Sequence, residues 1–250
     1  MENREFFITH DGIRLHAKLD FPNGNAEKLP LMIIVHGFTG HMEENHIVAV
    51  ANLATQLGMA ALRVEMYGHG QSDGKFEDHN LLKWLDELLA VVDYASALPF
   101  VTDLYLCGHS QGGLATILVG AMKRDILKAI IPLAPAIVIR DGARTGSMLG
   151  ASFNPENIPD HVEFPDGKVL GGNYLRVAQL LPVEEAIRKF KKPVLLVHAD
   201  TDESVPVFYS RKAASLYENA TLRIITDDDH CFNNKLEEMV EAVKEFLGQI

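Results

Sequence analysis

The chain has 250 residues, room for one α/β domain with an insertion, and its 47% hydrophobic and 23% charged residues are the proportions of a globular protein, not of a disordered or collagen-like one. Its 23 Lys and Arg against 34 Asp and Glu leave a net charge of −11. That disfavours nucleic acid and anionic lipid as partners, because both are bound through Lys and Arg.

The elements read as follows in chain order. Ile13–Phe21 alternates apolar and polar residues as a half-buried strand does, and with Glu5–Thr9 and the Asp11-Gly12 turn it makes an opening hairpin. From Leu31–His36 onward the period changes to short, continuous apolar runs, repeated at Met59–Val64, Leu104–Cys107, Lys128–Leu133, Val194–His198 and Leu222–Thr226. Such runs suit strands covered on both faces. Helical patterns fall between them at about 43–57, 82–97, 111–123, 206–217 and 234–248. The alternation predicts a doubly wound, mostly parallel α/β sheet in a single domain, 1–250. The stretch 136–181 breaks the alternation with Gly146, Gly150, Gly167, Gly171, Pro155, Pro159 and Pro165. We read it as a small inserted lid, since so long a structureless loop is uncommon in a compact domain. It follows a core strand and is expected over the sheet end where ligands bind.

Two cysteines, Cys107 and Cys231, make no disulfide framework and are expected to be reduced thiols. Met1 to Glu5 carries acids where a signal peptide needs a basic start, and the longest apolar run, Ala129–Ile139, is too short to span a bilayer. A cytoplasmic protein without a membrane partner is expected.

The chemistry centres on Gly108-His109-Ser110-Gln111-Gly112, set between the strand Leu104–Cys107 and the helical run Leu114–Met122. G-x-S-x-G between a strand and a helix is a nucleophile elbow. The turn strains the serine backbone, and only small residues fit two positions before and after it. A serine hydroxyl needs a base, and the base needs an orienting acid. His230, between the last strand and the last helix, is the base candidate. Asp200, Asp202 and Glu203 all lie on the loop after Val194–His198 and stay open as the acid. An oxyanion hole is expected from the backbone N–H groups of Phe38, in His36-Gly37-Phe38-Thr39-Gly40, and of Gln111.

Rival motifs are weaker. Gly68-His69-Gly70-Gln71-Ser72-Asp73-Gly74 has one residue too many for a dinucleotide fingerprint, and we read it as a loop packed beside the oxyanion strand. His41 and His46 flank Glu43 and Glu44, but a separation of five puts the histidines on different sides of a helix. The Asp200–Ser204 loop lacks the glycine of a calcium loop, Val205 standing in its place. Asp227–Asp229 reads as a solvated acidic cluster, and Trp84 with Leu81, Leu85, Leu88 and Leu89 as helix core. No cofactor and no metal are expected.

At His36-Gly37-Phe38, Tyr67–Ser72, Gly108–Gly113, His198–Pro206 and Asp229-His230 the chain resembles the α/β-hydrolase fold over nearly its whole length. The stretches Asn154–Asp160 and Gly172–Gln179 are similar to those of bacterial intracellular feruloyl (cinnamoyl) esterases. The resemblance implies a Ser110–His230–Asp202 triad, with the acid of the H-G-x-x-D-x-x-V-P pattern at Asp202 and Ala199 in place of its glycine. It places Phe38 and Gln111 on the oxyanion positions. Asp141 and Tyr174 become the polar lid residues nearest the ring hydroxyls of an aromatic acyl group. Gly142 and Leu149 stand where relatives carry Asp and Gln, which suits a less polar acyl group against Leu149. The function expected is a cofactor-free serine esterase acting through an acyl-enzyme on small aromatic (hydroxycinnamate) esters. The alternatives are an acylglycerol lipase or short-chain carboxylesterase, and a non-catalytic ligand-binding protein, whose mark would be a missing triad member. The apolar lid residues could serve a homodimer or only the substrate.

Overall fold

The computed structural model describes residues 2–24 and 26–250. The hairpin β1 (Arg4–His10) and β2 (Ile13–Asp20) leads into β3 (Leu29–Val35), α1 (Asn45–Gln56), β4 (Ala60–Val64), α2 (Leu81–Ser96), β5 (Val101–His109), α3 (Gln111–Met122) and β6 (Leu127–Leu133). There follow α4 (Val138–Thr145), the short strands β7 (Ser147–Met148), β8 (Ala151–Ser152), β9 (His161–Glu163) and β10 (Val169–Gly171), then α5 (Gly172–Ala178) and α6 (Val183–Lys189). The chain closes with β11 (Val194–Ala199), α7 (Phe208–Leu216), β12 (Ala220–Ile225) and α8 (Leu236–Leu247).

Among the described residues the main sheet has eight strands in the order β1-β2-β4-β3-β5-β6-β11-β12. The pairs β1–β2 and β2–β4 are antiparallel and every later pair is parallel. The continuous apolar runs follow from two-sided burial. In β3, Leu31, Ile33 and Val35 pack into a core shared with α2 and α3, while Met32 and Ile34 face one shared with α1 and α8. All five side chains are fully buried. At about 25 cal/mol per Å², a residue so placed contributes roughly 1.5–3 kcal/mol of transfer free energy.

From β3 the chain steps to β4 on one side and later returns to β5 on the other. The strand order therefore reverses between β3 and β5, and the crevice beyond their carboxyl ends is where ligands enter such sheets. Strands β6 and β11 are direct neighbours, so the segment between them leaves the sheet and returns beside its point of departure. That segment is more ordered than its Gly/Pro content suggests: β7–β8 and β9–β10 form two small hairpins between α4 and α5. The sequence pattern did not show α6, whose seven residues are too few for a clear apolar period. No helix among the described residues is long and apolar enough to cross a membrane.

Trp84 is fully buried on α2, as helix core. The same helix carries Glu87, only 1% exposed, whose Oε2 accepts the Tyr67 N–H at 3.1 Å. Burial pushes its carboxyl from the ordinary 4.5 up to about 7, against the smaller opposite effect of that hydrogen bond. A raised carboxyl pKa leaves stability intact below about pH 4.5 and erodes it as pH rises through about 7, above which both states are ionised and the loss is complete. Glu87→Gln removes this loss, so its advantage in urea unfolding over the parent chain should grow between pH 5 and pH 8. The expected change is on the order of 3 kcal/mol. The same difference at both pH values would contradict the assignment.

Candidate active site

The crevice beyond β3 and β5 holds a cavity of about 400 Å³ lined by Phe38, Ser110 and His230, among others. Ser110 stands between the end of β5 and the start of α3 with φ 55° and ψ −116°, a conformation that costs a non-glycine residue about 1–3 kcal/mol. Neighbouring backbone holds it there: Ser110 N–H donates to Leu133 O at 2.9 Å, and Ser110 O accepts from Leu114 and Ala136. The flanking glycines are required by contact. A Cβ on Gly108 would lie 2.3 Å from Gly112 O, and one on Gly112 would lie 2.4 Å from His36 O. A Cβ on Gly37 would come within 3.1 Å of Ser110 Cβ, so the loop after β3 closes directly on the elbow.

His230 Nδ1–H donates to Asp202 Oδ2 at 2.6 Å. The other oxygen, Oδ1, accepts the N–H groups of Ser204 and Val205, each at 2.8 Å. Buried His198 approaches Oδ2 at 3.1 Å through Nε2. Burial raises the Asp202 carboxyl, but the hydrogen bonds from His198 and His230 more than offset it and hold the group well below the usual carboxylate range. Asp202 thus stays ionised and fixes the ring so that Nε2 is the free nitrogen. The other two acids left open by the sequence do different things. Asp200 accepts the Asp227 N–H at 2.8 Å, tying the two loops together, and Glu203 is exposed. Ser110 and His230 share the cavity, yet no hydrogen bond joins Ser110 Oγ to the ring among the described residues. Such bonds often close only in the substrate complex.

Asp227–Asp229 is not a solvated cluster throughout. Asp228 is fully buried and accepts the N–H groups of Asp229, Asn234 and Lys235, while Asp229 accepts those of Cys231 and Asn233. The acids order the loop that carries His230, and consecutive carboxylates give no sign of this in a sequence.

Phe38 is held from several sides. Its ring meets those of Phe76, His79, Phe164 and Tyr174 at centroid distances of 5.1 to 5.9 Å. Its carbonyl oxygen lies 2.6 Å from His69 Nε2. His69 belongs to the glycine-rich loop, which packs beside the end of β3, and its reach to Phe38 leaves no mark in the sequence because it joins separate loops. Gln111 is fully buried at the start of α3, where the positive end of the helix dipole points into the site.

The three lid residues singled out from the resemblance separate. Leu149, 52% exposed, lines the cavity with Val138, Ile139, Met148, Phe164 and Pro165. Tyr174 is fully buried outside the cavity lining, and its hydroxyl donates to Gln111 Oε1 at 2.5 Å. Burial pushes its phenol well up, so the hydroxyl keeps its proton. Asp141 is also outside the lining, its carboxylate taken by Arg140 Nε at 3.2 Å and Tyr209 OH at 3.1 Å. The polar residues of segment 136–181 that do line the cavity are Ser147, Asp166 and Lys168.

A family model described as "Serine aminopeptidase, S33" (Hydrolase_4) matches residues 26–161. Est1E from Butyrivibrio proteoclasticus, solved with ferulic acid bound, is 56% identical, with a TM-score of 0.96 over 98% of each chain. The mouse alpha/beta hydrolase domain-containing protein 10 has a TM-score of 0.79 at 19% identity, covering 98% of this chain and 99% of that one, a likeness of fold alone. Human protein ABHD12B is 26% identical over 193 residues, 76% of this chain. The match spans 51% of that protein, so the chain corresponds to about half the length of this curated relative.

Proposed function

Because the chain belongs to the serine aminopeptidase S33 (Hydrolase_4) family and has the α/β-hydrolase fold, we propose that it is a serine carboxylic-ester hydrolase acting on hydroxycinnamate esters. The observation that carries the reading is the 2.6 Å hydrogen bond from His230 to a buried, ionised Asp202 at the cavity that Ser110 lines.

In this reading His230 Nε2 takes the Ser110 proton as Oγ attacks the ester carbonyl. The N–H groups of Phe38 and Gln111 stabilise the oxyanion, which costs no reorganisation because both donors are backbone groups held by packing. The alcohol leaves with the proton from His230. Water, deprotonated by the same ring, then releases the acid from the acyl-enzyme. The segment 136–181 is the lid over this step, and Val138, Ile139, Met148, Leu149, Phe164 and Pro165 form the wall against the acyl group. A flat aromatic ring fits so apolar a wall, and ferulic acid in Est1E supports the same ligand class here. We also infer a reducing compartment, since Cys107 and Cys231 are both free thiols.

The wall has consequences for selectivity. With Asp141 engaged by Arg140 and Tyr209, and Tyr174 by Gln111, neither is available to a ring hydroxyl. Methyl cinnamate should therefore have a kcat/KM within about threefold of methyl ferulate, since removing a hydroxyl is discriminated strongly only where the site bonds to it. Both should exceed monoacylglycerols by at least about tenfold. A preference for monoacylglycerols would replace this reading by a lipase, and a strong drop on methyl cinnamate would restore a polar ring subsite.

Tyr174 is proposed as a positioning residue for the oxyanion donor. Tyr174→Phe keeps the buried ring and removes the bond to Gln111. It should lower kcat about tenfold with KM nearly unchanged, a fraction of what losing an oxyanion donor costs. Unchanged kcat, or a rise in KM alone, would show that the hydroxyl serves something else.

A further inference from the structure

Beside the cavity, three side chains with ligand atoms have no part in the hydrolytic chemistry. Glu44 precedes α1, His46 lies in its first turn, and His109 is the last residue of β5. Their ligand atoms all lie within 4.8 Å of one another. The two imidazoles meet at a centroid distance of 4.1 Å, and His46 Nε2 lies 3.9 Å from Glu44 Oε2. His46 is 2% exposed and His109 3%, yet His46 Nε2 and His109 Nδ1 have no hydrogen-bond partner among the described residues. Buried polar atoms are nearly always paired, so two orphans in one cluster call for an explanation.

The tautomer of His109 supplies part of it. Its Nε2 lies 2.8 Å from His230 O, and a carbonyl only accepts. Nε2 therefore carries the proton and Nδ1 presents a lone pair. A ring nitrogen donating to a backbone carbonyl is how metal-bound histidines are commonly oriented. The sequence hid this arrangement: His46 has no suitable partner on its own helix, and the second histidine comes from the elbow.

We propose that Glu44, His46 and His109 form a binding site for one ion of the Zn²⁺ class, and that its occupation inhibits the hydrolase. Two imidazole nitrogens and one carboxylate suit Zn²⁺ and leave a fourth position for water. Mg²⁺ and Ca²⁺, which prefer oxygen ligands, do not match the set. Zinc bonds of about 2.0–2.2 Å need the ligand atoms somewhat closer together than they stand, and a rotation of Glu44, which is only partly buried, brings them there. Glu44 and His109 both line the cavity, so an ion they hold borders the space the substrate enters. Inhibition rests on the esterase reading; binding does not.

Titration of metal-free protein with Zn²⁺ against a chromophoric chelator tests the binding. Hydrolysis of p-nitrophenyl acetate with and without Zn²⁺, normalised to each variant's own zinc-free rate, tests the inhibition. One equivalent should bind, with affinity at least tenfold weaker in both His46→Gln and Glu44→Gln, and inhibition should weaken in parallel. Circular dichroism reports whether each variant folds, and Glu44→Gln, at a less buried site, decides alone if His46→Gln does not. Unchanged affinity in the folded variants overturns the site, as does loss of binding instead in Cys231→Ser or in His10→Asn, whose ring meets Asp86 at 2.9 Å in a second cluster with Asp11. Binding at the site with the rate unaffected overturns the inhibition.

Discussion

Ser110→Ala is expected to lower kcat on p-nitrophenyl acetate by about 10⁴–10⁶-fold while the chain keeps its fold. The size follows from what is lost. In the proposed mechanism Ser110 Oγ forms the covalent bond, and no other hydroxyl shares the strained turn held by Leu133, Leu114 and Ala136. Water attacking directly would still use the Phe38 and Gln111 amides, so a small residual rate is expected rather than none. The methyl group of alanine occupies the same Cβ position, so the elbow should close as before. A variant retaining more than a tenth of the parent rate would rule out the acyl-enzyme route.

Asp202→Asn is expected to lower kcat by about 10⁴-fold. The carboxylate accepts four close contacts, from His230, His198 and the Ser204 and Val205 amides. An amide can accept at only one of its two ends. If its oxygen keeps the Ser204 and Val205 amides, its NH₂ faces His230 Nδ1, and the ring must present its proton at Nε2, where it cannot act as base. The charge that would stabilise the imidazolium is removed as well. Because Asp202 is held well below the usual carboxylate range, its own protonation should not contribute to the pH profile of the parent chain between pH 5 and 8. Asp200→Asn and Glu203→Gln, on the same loop, should each stay within about fivefold, since Asp200 bonds the Asp227 amide and Glu203 is exposed. A large loss in either, with Asp202→Asn active, would reassign the acid.

The parts of the fold visible in the sequence are those governed by local burial. Strands such as β3 and β11, covered on both faces, leave continuous apolar runs, and α2 leaves an apolar stripe around Trp84. The elbow is legible for the same reason: its glycines are set by contacts a few residues away. Features that depend on distant segments were not legible. Only the folded loops separate Asp202 from Asp200 and Glu203, and the Asp227–Asp229 run gives no sign that Asp228 caps backbone amides. Segment 136–181 shows the limit most clearly. A resemblance can mark Tyr174 and Asp141 as polar, but their partners, Gln111, Arg140 and Tyr209, decide that they face away from the cavity. His46 and His109 likewise become neighbours only when α1 packs beside β5.

In the proposed mechanism the alcohol at the elbow is the nucleophile, activated by the ring that Asp202 orients. A fluorophosphonate probe, followed by intact-mass measurement and peptide mapping, reads this directly. One phosphonyl group per chain is predicted, on the peptide carrying Ser110, absent in Ser110→Ala and slowed by at least about a hundredfold in Asp202→Asn. Labelling at another residue, or labelling of Ser110→Ala at the parent rate, would contradict it.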